Sequence, residues 1–114
     1  MNEIDIPIIQ KSNDLYKIFH EYRRLVPKND RHTIFARTDN LLIDTIQCFL
    51  EAGYAGSANK LSVLERASVN LNMIRFFIRL MKEMKTIDNK KYVDLQLLID
   101  EIGRMLGGWI RSIR

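Results

Sequence analysis

The sequence is poor in cysteine, proline and glycine, with one, two and five of them among 114 residues. A single cysteine, Cys48, excludes an internal disulfide, and its place in an apolar run predicts a small buried thiol in a reduced, intracellular protein. The first ten residues carry Glu3, Asp5 and Pro7, unlike the basic start and unbroken apolar stretch of a signal peptide. No apolar run is long enough to span a bilayer. We therefore expect a cytoplasmic protein.

Sequence patterns that accompany catalysis or metal binding are also missing. There is no Gly-x-Ser-x-Gly or P-loop pattern, and no helix offers the Glu-x-x-His of diiron bundles. A zinc site needs three or four ligands, whereas His20 and His32 are the only histidines and have no partner at helical spacing. We expect a binding protein without enzymatic activity, metal or cofactor.

What the sequence does contain is typical of one globular domain. Hydrophobic residues make up 46% of the chain and charged residues 28%, outside the range of disordered proteins. A chain of this length has room for one core, so residues 1–114 are predicted to form a single domain.

Apolar residues recur at intervals of three and four in four segments, which predicts four helices. Their expected bounds are Ser12–Leu25, Asn29 or Asp30 to Tyr54, Lys60–Thr86, and Asp88 or Asn89 onward. No segment shows strand alternation. Short connections between helices favour an all-α, antiparallel up-and-down four-helix bundle.

The core stripes of the second and fourth helices can be read from this spacing. In the second helix, the stripe is Ile34, Thr38, Leu41, Thr45, Cys48, Phe49 and Ala52. In the fourth, it is Leu95, Leu98, Ile99, Ile102, Met105, Leu106, Trp109 and Ile113.

Two helices carry more apolar residues than a bundle core requires. On the third helix, Phe76, Phe77 and Leu80 belong to an apolar arc around much of the circumference. On the second, the residues outside the core stripe are Phe35, Leu42, Ile43, Ile46 and Leu50. A helix apolar over such an arc needs a second neighbour. We expect another subunit there; the alternative is thorough burial within the monomer.

The net charge of +4 is concentrated in one part of the chain. Between Lys60 and Lys91, eight lysines and arginines stand against three acids. Within this segment, Ser68, Asn72, Arg75, Arg79 and Lys82 lie three or four apart and therefore share one helix face. We call these five residues the polar strip. Its cations indicate either an anionic partner or a solvated face partly neutralised by Glu83 or Glu65.

Glycines interrupt the fourth helix, where each costs up to about 1 kcal/mol relative to alanine. Gly103 and Gly107 lie four residues apart on one flank, which predicts the close approach of another backbone, helix or ligand. The alternative is a helix that ends at Gly107 with a loose tail, although Trp109 continues the core stripe.

Two segments resemble the accessory variability determinant (Avd) proteins of diversity-generating retroelements. They are LNMIRFFIRLMKEM, Leu71 to Met84, and IGRMLGGWIRSI, Ile102 to Ile113. The stretch with Val26, Pro27, Lys28 and Arg31 is similar to the Pro-Lys-x-x-Arg entry shared with bundle proteins encoded in ribosomal RNA intervening sequences. The resemblance covers nearly the whole chain, weakly in the first helix.

This resemblance implies a four-helix bundle that assembles into a ring-like homopentamer and binds a dedicated reverse transcriptase and the template RNA. Arg75 and Arg79 match family basic positions, and Gly103, Arg104 and Trp109 match family C-terminal positions. The candidate residues for nucleic acid or polymerase are Arg75, Arg79, Lys82, Lys60, Arg66, Arg31 and Arg104. Those for the oligomer or close packing are Phe76, Phe77, Leu80, Gly103, Gly107 and Trp109.

Two other functions fit the same architecture. One is an intervening-sequence-type bundle protein without a reverse transcriptase partner. The other is an oligomeric scaffold whose polar strip is only solvated. Neither the particular reverse transcriptase or RNA nor the role of residues before Ser12 follows from the sequence.

Overall fold

The computed structural model describes the backbone of residues 5–114 and the side chains of residues 7–56 and 58–114. Four long helices, α1 (Asp5–Glu21), α2 (Ile34–Tyr54), α3 (Ser57–Glu83) and α4 (Asn89–Ile113), account for most of this part of the chain. Helix α1 packs on α2 and α4, and α3 packs on the same two helices from the opposite corner. The described residues contain no strand, so the predicted all-α four-helix fold is confirmed.

Helix α1 begins seven residues before the predicted start at Ser12. Pro7 is the third residue of the helix, where its missing N–H would have no helical acceptor in any case. Ile8 is buried in the core and its carbonyl accepts a hydrogen bond from the buried Ser12 hydroxyl at 2.7 Å. Residues before Ser12 therefore contribute to the bundle; Glu3 lies outside the described residues.

The connection from α1 to α2 also differs from the prediction. Residues Tyr22–Leu25 form a 3-10 turn, and Lys28–Arg31 form one turn of helix before α2 starts at Ile34. The predicted cap at Asn29 or Asp30 is wrong, because no side chain caps either helix start. The Asp30 carboxylate instead accepts a hydrogen bond from the Thr86 hydroxyl at 2.9 Å, which ties this connection to the end of α3.

Helix α3 begins and ends three residues earlier than predicted. Its C-terminal end has a defined geometry. The N–H of Lys85 donates to Lys82 O at 3.0 Å, and the N–H of Thr86 donates to Met81 O at 2.8 Å. This pair of bonds is a Schellman motif. Lys85 occupies its left-handed position with φ 63°, where glycine is the usual residue.

Helix α4 starts as predicted. The Asp88 carboxylate accepts a hydrogen bond from the Lys91 N–H at 2.8 Å and so caps the helix. The helix continues past its three glycines to Ile113, so the alternative of an end at Gly107 is wrong. Trp109 is buried against Phe49, with ring centroids 6.4 Å apart.

The core contains the predicted stripes and two residues that were expected outside them. Phe35 and Leu42 of α2 are buried, because α1 covers this side of α2: the Phe19 and Phe35 rings stack with centroids 4.3 Å apart. Ile43 and Leu50, also expected outside the stripe, do remain exposed. The second helix thus has a smaller surplus of apolar surface than its arc predicts.

Helix α3 keeps a large apolar surface in solvent. Val69 and Phe76 are 59% and 55% exposed, and Met84 is also exposed. Leu80, Phe77 and Met73 are half-buried beside them. Thorough burial within the monomer is therefore wrong for this helix. None of the helices in residues 5–114 is long and apolar enough to cross a membrane.

Candidate nucleic-acid and partner interface

The cations of the polar strip line the seam between α3 and α4. An Nη2 of Arg75 lies 3.3 Å from Oδ1 of Asp100, and Nζ of Lys82 lies 4.6 Å from the centre of the Tyr92 ring. Both partners belong to α4. The helical spacing that placed these residues on one face therefore also brings them to a border between two helices.

Arg79 is held within its own helix. Its Nε lies 3.7 Å from Oε1 of Glu83, and its guanidinium carbon lies 5.9 Å from the centre of the Phe76 ring. The expected neutralisation by Glu83 is thus present, but the pair is exposed and such pairs contribute little to stability. An exposed carboxylate that can swing away leaves Arg79 available to an anionic ligand.

Gly103 makes room for Arg75. A Cβ on Gly103 would lie 3.2 Å from Nη2 of Arg75, so alanine here would require the guanidinium to shift by a few tenths of an ångström. The Nε of Arg75 is buried without a hydrogen-bond acceptor. The close approach predicted at Gly103 is therefore made by a side chain of α3, and it holds a candidate cation in place.

Two open depressions, of about 530 and 440 Å³, follow the α3–α4 seam and share Asn72, Arg75 and Asp100 in their linings. We call them together the α3–α4 groove. Exposed apolar side chains stand beside its cations: Phe76 on α3 and Val93 and Leu97 on α4. The groove thus offers positive charge and apolar surface side by side, which suits a protein segment or the stacked bases and phosphates of a single strand.

The other candidate cations are dispersed. Arg104 lines the second depression of the groove, whereas Lys60 lies half-buried near the start of α3. Arg66 faces α2, where its Nη2 lies 3.0 Å from Oε2 of Glu51. The neighbouring Cys48 side chain, followed by the Glu51 carboxylate, raises the pKa of Arg66. Arg66 therefore faces α2, through an ion pair as exposed as that of Arg79, and stands apart from the strip.

Arg31 has a structural task. Its Nε donates to Val26 O at 2.9 Å and its Nη2 donates to Arg24 O at 3.0 Å. These bonds hold the chain between α1 and the one-turn helix. The residues Val26, Pro27, Lys28 and Arg31, picked out by resemblance, thus form a compact turn.

The candidate oligomer residues occupy different environments. Phe76 is exposed, and Phe77 and Leu80 are half-buried on the outer side of α3. Trp109 is buried in the core of its own subunit. A Cβ on Gly107 would meet only Nη1 of Arg111, at 3.4 Å. Among the described residues, none approaches Gly107 closely enough to require glycine.

The structure adds one charged surface that sequence reasoning missed. The ends of α1 and α3 lie beside the starts of α2 and α4, as the Thr86–Asp30 bond shows. We call residues 20–32 and 82–91 at this end of the bundle the basic end. They carry eight lysines and arginines and four acids, an excess that equals the net charge of the whole chain. The available signal was the pair Arg23–Arg24, which stands just before Pro27.

The described residues show no metal centre. In residues 5–114, no three His, Cys, Asp or Glu side chains are placed to hold a metal ion. His20 stacks on Tyr16 with ring centroids 5.8 Å apart, and His32 is exposed.

A family model described as bAvd-like matches residues 6–113. The chain belongs to the bAvd-like family. The match includes α1, where the sequence resemblance is weak, and all residues of the polar strip. No curated protein matches the chain. The resemblance of Leu71–Met84 and Ile102–Ile113 to Avd proteins is therefore confirmed at the level of the family.

Proposed function

We propose that this bAvd-like protein is a non-enzymatic accessory protein of a diversity-generating retroelement. It binds the retroelement's reverse transcriptase and its template RNA or another nucleic acid, and so supports mutagenic reverse transcription. The observation that carries the proposal is the family match over residues 6–113. The chemistry of the α3–α4 groove supports it.

Nucleic acid binding is supported by the polar strip. Successive cations on one face neutralise successive phosphates and release counterions, so affinity arises without reading base sequence. In the groove, Asn72, Arg75 and Arg79 line the same depression as the exposed Val93 and Leu97 of α4. Repetition of this face in several subunits would multiply the number of phosphate contacts.

Assembly into a homo-oligomer, with a pentamer as the expected form, is supported by two separate apolar surfaces. One lies on α3 around Val69 and Phe76, and the other on α2 at Ile43 and Leu50. Polar side chains of α2, among them Asp44 and Glu51, line the seam with α3. Unlike surfaces suit the head-to-tail interface of a ring, in which each subunit presents one surface to each neighbour.

The decisive experiment is co-purification with a reverse transcriptase encoded beside the gene, with light scattering on the free protein and on the complex. The proposal expects one stable complex and a closed oligomer. A closed oligomer that never captures the polymerase would favour the intervening-sequence-type or scaffold alternative, and a protein that remains monomeric at micromolar concentration would refute the proposed assembly.

The strip itself is tested with Arg79→Ala and Lys82→Ala, against Lys17→Ala as a control. Lys17 is an exposed cation on α1, without an ion pair among the described residues. Each strip substitution should weaken RNA or polymerase binding and leave the oligomer mass unchanged, whereas Lys17→Ala should change neither. Intact assembly with unchanged RNA and polymerase binding in both strip variants would remove the strip from the site.

A further inference from the structure

The basic end has cations that are not used by the subunit itself. Among the described residues, Arg23, Arg24, Lys28 and Lys85 make no ion pair, whereas Lys90 is paired with Asp94, 3.2 Å away, and Lys91 with Asp88, 2.8 Å away. All four unpaired cations are exposed. Their charges are therefore available to a partner.

Arginines at this end surround a common depression. An open hollow of about 580 Å³ is lined by Arg23, Arg24 and Arg31 together with His20 and Glu21. Guanidinium groups present planar pairs of N–H donors that match the oxygen atoms of a phosphate. Three arginines against a single acid make this hollow suited to a phosphate group and unsuited to a cation or an apolar ligand.

Arg31 fixes the position of the other two arginines. Its bonds to Val26 O and Arg24 O close the Tyr22–Leu25 turn from outside, and buried Val26 anchors the same turn in the core. A turn that is already fixed loses less conformational entropy when its side chains bind. Arg31 thus acts as a positioning residue for Arg23 and Arg24.

Lys85 gives an independent indication at the same end. It holds the left-handed position of the Schellman motif with φ 63°, where a residue with a Cβ is disfavoured relative to glycine. Residues kept in such conformations cluster at functional sites. Lys85 and Leu25 line one depression, so this cation stands next to the arginine turn.

We propose that the basic end is a second phosphate-binding surface, at which Arg23, Arg24, Lys28 and Lys85 contact the backbone of a nucleic-acid strand and Arg31 holds the turn that presents them. The proposal rests on the proposed function in one respect: it takes the strand to be the RNA that the proposed function assigns to the protein. It adds a location at the end of the bundle, which meets the α3–α4 groove at Lys82, whereas Arg23, Arg24, Lys28 and Lys85 do not line that groove.

The test uses fluorescence anisotropy with a labelled single-stranded RNA over a range of salt concentrations. The double variant Arg23→Gln/Arg24→Gln is compared with Lys17→Gln/Arg111→Gln, which removes the same charge from exposed positions outside the basic end. Loss of two contacts should lower the salt slope by about 1.4 and weaken binding roughly tenfold at 0.15 M salt. The control should retain wild-type affinity within about twofold.

A second variant separates position from charge. Arg31→Lys keeps the charge but replaces the two guanidinium nitrogens that bind Val26 O and Arg24 O by a single ammonium nitrogen, so RNA affinity should fall while hydrogen exchange at residues 22–26 accelerates. The inference would be overturned if the two double variants weakened RNA binding equally, or if Arg23→Gln/Arg24→Gln bound RNA as tightly as the wild type. In either case, the proposed function would still stand if these variants captured the polymerase. A wild-type protein that binds neither RNA nor polymerase would overturn both.

Discussion

Replacing Lys85 with glycine should stabilise the protein. The left-handed conformation costs a non-glycine residue about 1 to 2 kcal/mol, and Lys85 adopts it with φ 63°. Glycine removes this cost but gains roughly 0.5 to 1 kcal/mol of freedom in the unfolded chain. The net change in the free energy of unfolding should therefore lie between about 0 and 1.5 kcal/mol, with a gain of about 0.75 kcal/mol at the midpoints of the two ranges. Both hydrogen bonds of the motif use backbone atoms and survive the change.

The assay is urea unfolding followed by circular dichroism at fixed protein concentration, because the proposed assembly would make apparent stability depend on concentration. Lys85→Ala is the matched control, because it removes the same charge but keeps the Cβ. It should unfold at nearly the wild-type urea concentration. If Lys85→Gly is no more stable than Lys85→Ala, the left-handed strain is not significant and the conformational argument for Lys85 at the basic end is refuted. Equal loss of RNA affinity in both variants would show that its charge contributes separately.

Two further substitutions examine α4. Gly107→Ala should raise the free energy of unfolding by up to about 1 kcal/mol, since the new methyl group meets only the flexible end of Arg111. A fall in oligomer mass, measured by light scattering, would instead indicate that a second chain lies against Gly107. The hydrogen bond from the Lys91 side chain lowers the pKa of Asp88. The ionised carboxylate therefore stabilises α4 above the usual carboxyl pKa, and this stabilisation is lost as pH falls through the lowered pKa of Asp88. The stability difference between wild type and Asp88→Asn should therefore shrink below about pH 4, as measured by urea unfolding at several pH values.

Helical periodicity was sufficient for most of the fold, and its failures have physical reasons. Periodicity located the end of α2 at Tyr54 and the capped start of α4 at Asp88. It placed the start of α1 seven residues too late: the helix includes Pro7 in its first turn, where proline is tolerated. It treated Phe35 as surplus because the apolar arc of an isolated helix does not show which side a neighbour covers; stacking on Phe19 from α1 decided that.

Within the candidate site, the sequence predicted the line of cations and the Glu83 partner of Arg79, but not the partners on α4. Arg75 and Gly103 were singled out for different reasons, one as a cation and the other as a gap in a helix. In the structure they are one feature, with the guanidinium lying over the glycine and reaching Asp100. Contacts of this kind join residues on different helices, and spacing along one helix cannot reveal them.

The basic end follows from the topology rather than from either segment alone. In an up-and-down bundle, the first and third connections meet at one end, because each helix reverses the direction of the chain. The predicted bundle therefore already implied that the charges of residues 20–32 and 82–91 should be added together. Taken separately, residues 20–32 lie outside the Lys60–Lys91 stretch that held the positive excess, and the adjacent Arg23 and Arg24 do not by themselves indicate a binding surface. Added across the bundle end, they join Lys85 on a surface whose charge equals that of the whole chain, and a polyanion approaching the protein would meet that surface as one field.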